Sequence, residues 1–157
     1  MSGLRTLVAG IGNKYMGDDG FGPKVVETLL ERGLPEDVEA RDVGLCGITL
    51  APDLEDYEMV IFIDAFKLGD EPGTIYCEKI ERGMNPDISL INIHDAGMKE
   101  LILFADKIGM LPPNVFVIGC EINEIKLGEG LSPEVDGSID AAVDLTLELL
   151  QRQGKRK

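Results

Sequence analysis

Apolar residues fall along the chain in short runs that alternate between two periods. Leu4 to Ile11 is a short, mostly apolar run, broken by Gly12-Asn13, and reads as a strand. Val25, Val26, Leu29 and Leu30 then recur at helical spacing until Gly33 and Pro35 stop them. Val38 to Val43 reads as a second strand and Ile48 to Leu54 as a short helix. Met59 to Ile63 is continuously apolar, as expected of a strand covered on both faces, and is predicted to end at Asp64. Glu71-Pro72-Gly73 marks a turn. Thr74 to Ile80 follows too closely for a helical crossover, which predicts an antiparallel edge strand. Glu81 to Ile93 shows no period. Met98, Leu101, Ile102, Ala105 and Ile108 share a helical face, Asn114 to Ile122 is another strand, and Asn123 to Leu131 is a loop. Ser132 is a plausible N-cap ahead of Pro133. Val135, Ile139, Ala142, Val143, Leu147 and Leu150 then mark one long amphipathic helix with a frayed polar tail from Gln151.

Strands alternating with helices in the order β-α-β-α-β-β-α-β-α imply a three-layer α/β/α sandwich. Its sheet is mostly parallel, with one antiparallel edge strand. The 157 residues suit one domain, 1–157, with one sizeable core.

Charge narrows the partners. Fifteen basic against 29 acidic residues give a net charge of −14, which repels phosphate backbones and anionic lipid. Nucleic acid and membrane surfaces are therefore not expected; metal cations and basic protein segments are favoured. No apolar run approaches the ~20 residues of a spanning helix, and Met1 to Arg5 lacks a signal-peptide pattern. A cytoplasmic protein is expected, with no feature demanding a partner subunit, so a monomer. Cys46, Cys77 and Cys120 form no CxxC pair, so neither a disulfide framework nor a structural zinc site is indicated; buried free thiols are expected.

In open α/β sheets ligands bind beyond the carboxyl ends of the strands. Three polar signals fall there: the stretch Gly12 to Gly20 with its Asp18-Asp19 pair, Asp64, and His94, the only histidine. Either Asp18 or Asp19 could simply cap the following helix. The glycine-rich stretch is neither a dinucleotide fingerprint nor a Walker loop, and its acids would repel phosphate. A carboxylate closing a five-residue apolar run carries a desolvation cost unless a cation or donors meet it. Two carboxylates and an imidazole at one sheet edge suit a divalent transition metal, nickel as well as zinc, with positions left open. A zinc-helix protease would need a second histidine, and a serine triad lacks its GxSxG turn. A thiol pair of Cys46 or Cys120 with His94, or a dyad of Asp19 and Asp64, is less economical.

The chain resembles the nickel-iron hydrogenase maturation endopeptidases. The likeness rests on Gly12-Asn13-x-x-Met16-Gly17-Asp18-Asp19-Gly20-x-Gly22-Pro23, on the buried strand closing with Asp64-Ala65, on His94, on Gly119-x-Glu121, and on Leu131 to Val135. It extends from Leu4 to about Leu150. The resemblance implies a five-stranded sheet between helix layers. It also implies an enzyme that removes the C-terminal extension of a hydrogenase large-subunit precursor after nickel insertion. The metal would be the substrate's own nickel, contacted by Asp19, Asp64 and His94, with zinc or cadmium able to stand in for it in a crystal. Asp18, Asp64 and Glu121 are candidates for the general base. Where the family often carries Asp-Gly-Gly-Thr-x-Gly, this chain has Asp42-Val43-Gly44-Leu45-Cys46-Gly47. A branch serving deazaflavin-reducing hydrogenases is one candidate substrate. A non-catalytic nickel-dependent chaperone, which binds the loaded precursor without cutting it, is the alternative function.

Overall fold

In the computed structural model, described over residues 5–45, 47–83, 96–123, 125–128 and 130–155, the strands are β1 (Thr6–Ile11), β2 (Val38–Gly44), β3 (Met59–Phe66), β4 (Ile75–Ile80) and β5 (Asn114–Glu121). They form one sheet in the order β2-β1-β3-β5-β4. β1, β2, β3 and β5 are mutually parallel and β4 runs antiparallel to β5 at the edge. The expected architecture is therefore present, including the reversed edge strand. The helices are α1 (Phe21–Arg32), α2 (Ala51–Leu54), α3 (Ala96–Lys107), α4 (Pro133–Asp136) and α5 (Ile139–Lys155), with 3₁₀ turns at Gly17–Gly20 and Ile48–Leu50.

Strand alternation sorts the core into two layers. Leu7, Ala9, Phe62 and Phe66 pack with α2 and with Met98, Leu101 and Ala105 of α3. Val8, Ile61, Ile63 and Ile118 pack with Phe21, Val25 and Leu29 of α1 and with Val135, Ile139, Ala142 and Val143. Among the described residues no helix is long and apolar enough to cross a membrane.

Four expectations need correction. β3 does not end at Asp64 but continues to Phe66, because β5 is long enough to pair Asp64 with Gly119, Ala65 with Cys120 and Phe66 with Glu121. The long last helix is two: α4 stops at Asp136, and α5 starts at Ile139. The Ser138 hydroxyl at the break donates to the Gly73 carbonyl (2.5 Å), a partner outside the helix. The break also sets the phase of α5, whose buried stripe runs through Thr146 and Leu149 while Leu147 and Leu150 are half-buried. Its tail is not frayed at Gln151, since the helix continues to Lys155. Finally, the thiols are not uniformly buried: Cys120 is, Cys77 is exposed, and Cys46 lies outside the described residues.

Candidate active site at the carboxyl edge of the sheet

β1 ends at Ile11, and the chain must turn at once to climb onto α1. Gly12 takes φ 133°, and a Cβ there would lie 2.0 Å from the Asp19 carbonyl oxygen. A side chain is excluded on both counts. At Gly22 a Cβ would meet the carbonyl oxygens of Ile11 at 2.4 Å and Ile63 at 2.5 Å. The start of α1 thus lies directly on the ends of β1 and β3, and the Gly17–Gly20 turn packs against β3. This is where the sheet order reverses and where α/β folds open a crevice.

Asp19 sits in that turn, half-buried. Its Oδ2 accepts the Asn13 backbone N–H at 2.9 Å, and the Asn13 side chain accepts the Tyr15 N–H at 2.9 Å, so the loop holds the carboxylate through its own backbone. Asp64 is only 2% exposed. The β1–β3 ladder closes at Gly10 opposite Ile63, so Asp64 is the first β3 residue beyond it. Its Oδ1 accepts its own following amide, that of Ala65, at 2.8 Å. The structure therefore brings the Asp19 turn and Asp64 to one edge. His94 lies outside the described residues. Among the described residues no three Asp, Glu, Cys or His side chains group as a metal-holding set.

The neighbouring acids have other tasks. Asp18, 5% exposed, accepts the Ser132 N–H at 2.7 Å on one oxygen and the Ser132 hydroxyl at 2.9 Å on the other. Ser132 does precede α4 as expected, but its hydroxyl serves Asp18 rather than capping the helix. The Gly17 N–H donates to the Gly128 carbonyl and the Gly128 N–H to that of Tyr15, both at 2.8 Å. The late loop is thereby stitched to the loop carrying Asp19. Glu121, 2% exposed, accepts the N–H groups of Leu68 and Gly69 and the Tyr76 hydroxyl (2.7 Å). Burial, then its bonds to Asp70 and Glu121, push the Tyr76 phenol far above its usual range. Glu121 thus clamps the turn that leaves β3. Sequence reasoning missed both clamps, although Ser132 and Gly119-x-Glu121 were the signals for them.

Comparison with known proteins agrees with this frame. Residues 23–149 match the HycI hydrogenase maturation protease family. The chain belongs to that family. It is 34% identical over 158 residues to the hydrogenase expression/formation protein HupD of Rhodobacter capsulatus, covering 96% of this chain and 73% of HupD. A crystal structure of a hydrogenase 2 maturation peptidase from a Thaumarchaeota archaeon shares 50% identity, with TM-score 0.76 over 94% of this chain and 98% of that one. The hydrogenase maturating endopeptidase HybD of E. coli shares 27% identity, with TM-score 0.85 over 96% and 94%. A maturation protease of this family is a peptidase, and the twisted mostly parallel sheet is the fold it shares with HybD.

Proposed function

We propose that this maturation protease removes the C-terminal extension of a nickel-iron hydrogenase large-subunit precursor once nickel has been inserted, and that Asp19, Asp64 and His94 recognise the substrate's nickel. The observation that carries the reading is the packing of the Asp19 turn against β3, where Asp64 outruns the β1 ladder. Two carboxylates from separate elements stand at one sheet edge, and carboxylate with imidazole is a donor set suited to a divalent transition metal. The course of α3 supports the third member. Its 12 residues span about 18 Å, and β5 re-enters the sheet at the opposite edge a few residues after it ends, so α3 begins at the carboxyl edge. Ala96, its first residue, follows His94 by two.

Three protein donors leave room for groups of the precursor. Docking through its nickel brings the scissile peptide to the crevice, where the cation can polarise the carbonyl or a water. Water adds to the carbonyl carbon, and the amine of the extension departs with a proton. Of the three base candidates, Asp18 and Glu121 direct their oxygens at fixed protein donors. Asp64 also accepts a backbone amide, that of Ala65, but it is the candidate on β3 beside the Asp19 turn, and we assign it on that position.

The test is to mix the purified protein with nickel-loaded and nickel-free precursor and weigh the large subunit by mass spectrometry. Loss of the extension only from the loaded form is expected. A stable complex without mass change would make the protein a chaperone, and cutting of the nickel-free form would remove nickel recognition.

A further inference from the structure

A groove of about 810 Å³ opens beside the site. One end is built by Lys14, Gly17 and Gly20, from the loop that carries Asp19. It runs along α1 past Glu27, Leu30 and Glu31 to Ala40 of β2, the edge strand that closes the sheet on that side. Leu30 falls on the helical spacing of the α1 core residues, yet it is 58% exposed. The groove therefore has an apolar floor lined with acids, Glu27, Glu31, Asp42 and Asp136, against Lys14 and Lys24. Lys24 is itself paired to Glu27 at 3.5 Å.

We propose that this groove seats an extended segment of the precursor flanking its scissile bond, one in which apolar and basic residues alternate. The inference rests on the peptidase reading above. Three features choose the occupant. The groove is lined at Lys14, Gly17 and Gly20 by the loop that carries Asp19, so a chain leaving that end meets this loop. An extended chain presents alternate side chains to opposite faces, which matches an apolar floor and an acidic rim. A second copy of this protein is disfavoured, because each carries a charge of −14 and would bring acids against acids. Strand-like seating beside a sheet edge is a common way to bind extended peptides, with backbone contacts adding affinity and side-chain pockets adding selectivity.

The test places a photo-crosslinking benzoylphenylalanine at Leu30 and irradiates the protein with nickel-loaded precursor. Crosslinks mapped by mass spectrometry to the segment flanking the scissile bond are expected. Crosslinks only to the body of the large subunit, only to another copy of this protein, or none, would overturn the proposal. In parallel, the double variant Glu27→Lys, Glu31→Lys should raise KM for the precursor about tenfold with kcat at saturation within about twofold, the pattern of lost uniform binding. An unchanged KM would also overturn it. Wild-type protein that crosslinks to that segment yet releases no fragment leaves the groove assignment standing and removes the peptidase reading instead.

Discussion

Gly119 stands directly opposite Asp64 in the β3–β5 ladder, and the space a side chain would take there is filled by the Phe66 ring. A Cβ at Gly119 would lie 2.2 Å from Phe66 Cε2. The ring in turn stacks on Tyr76 at 6.0 Å between centroids, and Tyr76 bonds Glu121. Gly119-x-Glu121 is thus a packing device that sets the end of the strand carrying Asp64.

Gly119→Ala is expected to destabilise the protein by about 1–3 kcal/mol, the usual range for overpacking a core. Adding Phe66→Leu should recover part of the loss, because the two sites are in contact. Urea denaturation of the two single variants and the double variant measures the coupling; additive losses would contradict it.

Gly22→Ala should cost more, at least about 2 kcal/mol. Its Cβ meets two backbone carbonyl oxygens, neither of which can rotate away. Because α1 would lift from β1 and β3, processing activity should fall together with the midpoint of denaturation.

Asp18→Ala leaves the Ser132 N–H and hydroxyl without their carboxylate. A stability loss of about 1–3 kcal/mol is expected from stranded polar groups, and Ser132→Ala should lose less, since the backbone N–H bond survives. If Asp18→Ala left stability unchanged, the acid would have to be assigned a role in the chemistry instead.

Asp19→Ala and His94→Ala should lower processing by about 10²-fold or more, in line with losing a group that acts on the reacting atoms, and leave thermal denaturation nearly unchanged. Asp64 is different, because it is buried inside β3 rather than at a loop edge. Asp64→Asn is the informative change there, since it keeps the volume and removes the charge. Normal processing by any of the three would remove that residue from the site.

Burial pushes the Cys120 thiol up to about 12, and it raises that of Cys77 as well. The thiolate is the reactive form. At pH 8 Cys120 should resist alkylation until the protein unfolds, while exposed Cys77 reacts slowly, as peptide mapping would show. The linkage has a definite sign. The thiol of Cys120 is held protonated in the folded state above the pH where it ionises in the unfolded chain. Its contribution to stability is full below about pH 9 and is lost as pH rises toward 12. Alkaline denaturation of Cys120→Ala should lack that component.

The hydrophobic periods were enough, by themselves, to determine the strands, the main helices, the parallel sheet and its reversed edge strand. Those features depend on local spacing and connection length, which the chain writes out in order. The motif Gly12 to Pro23 likewise lies at the carboxyl edge of the sheet, as its place in the sequence required, because residues after a parallel strand must emerge there. Tertiary structure decided the rest. Whether Asp64 ends a strand or sits within one depends on how long β5 is, 50 residues later in the chain. Asp19 is held within its own loop by Asn13, whereas the donor that holds Asp18 is Ser132, 114 residues away. Glu121 read as a candidate general base, and the fold shows it accepting the backbone N–H groups of Leu68 and Gly69. Leu30 shares the helical spacing of Val25, Val26 and Leu29, yet in the fold it is exposed and lines the groove that reaches Ala40 of β2. Spacing along a chain reports which face a side chain shares with its near neighbours, and only the packed sheet settles which distant donors and surfaces meet that face.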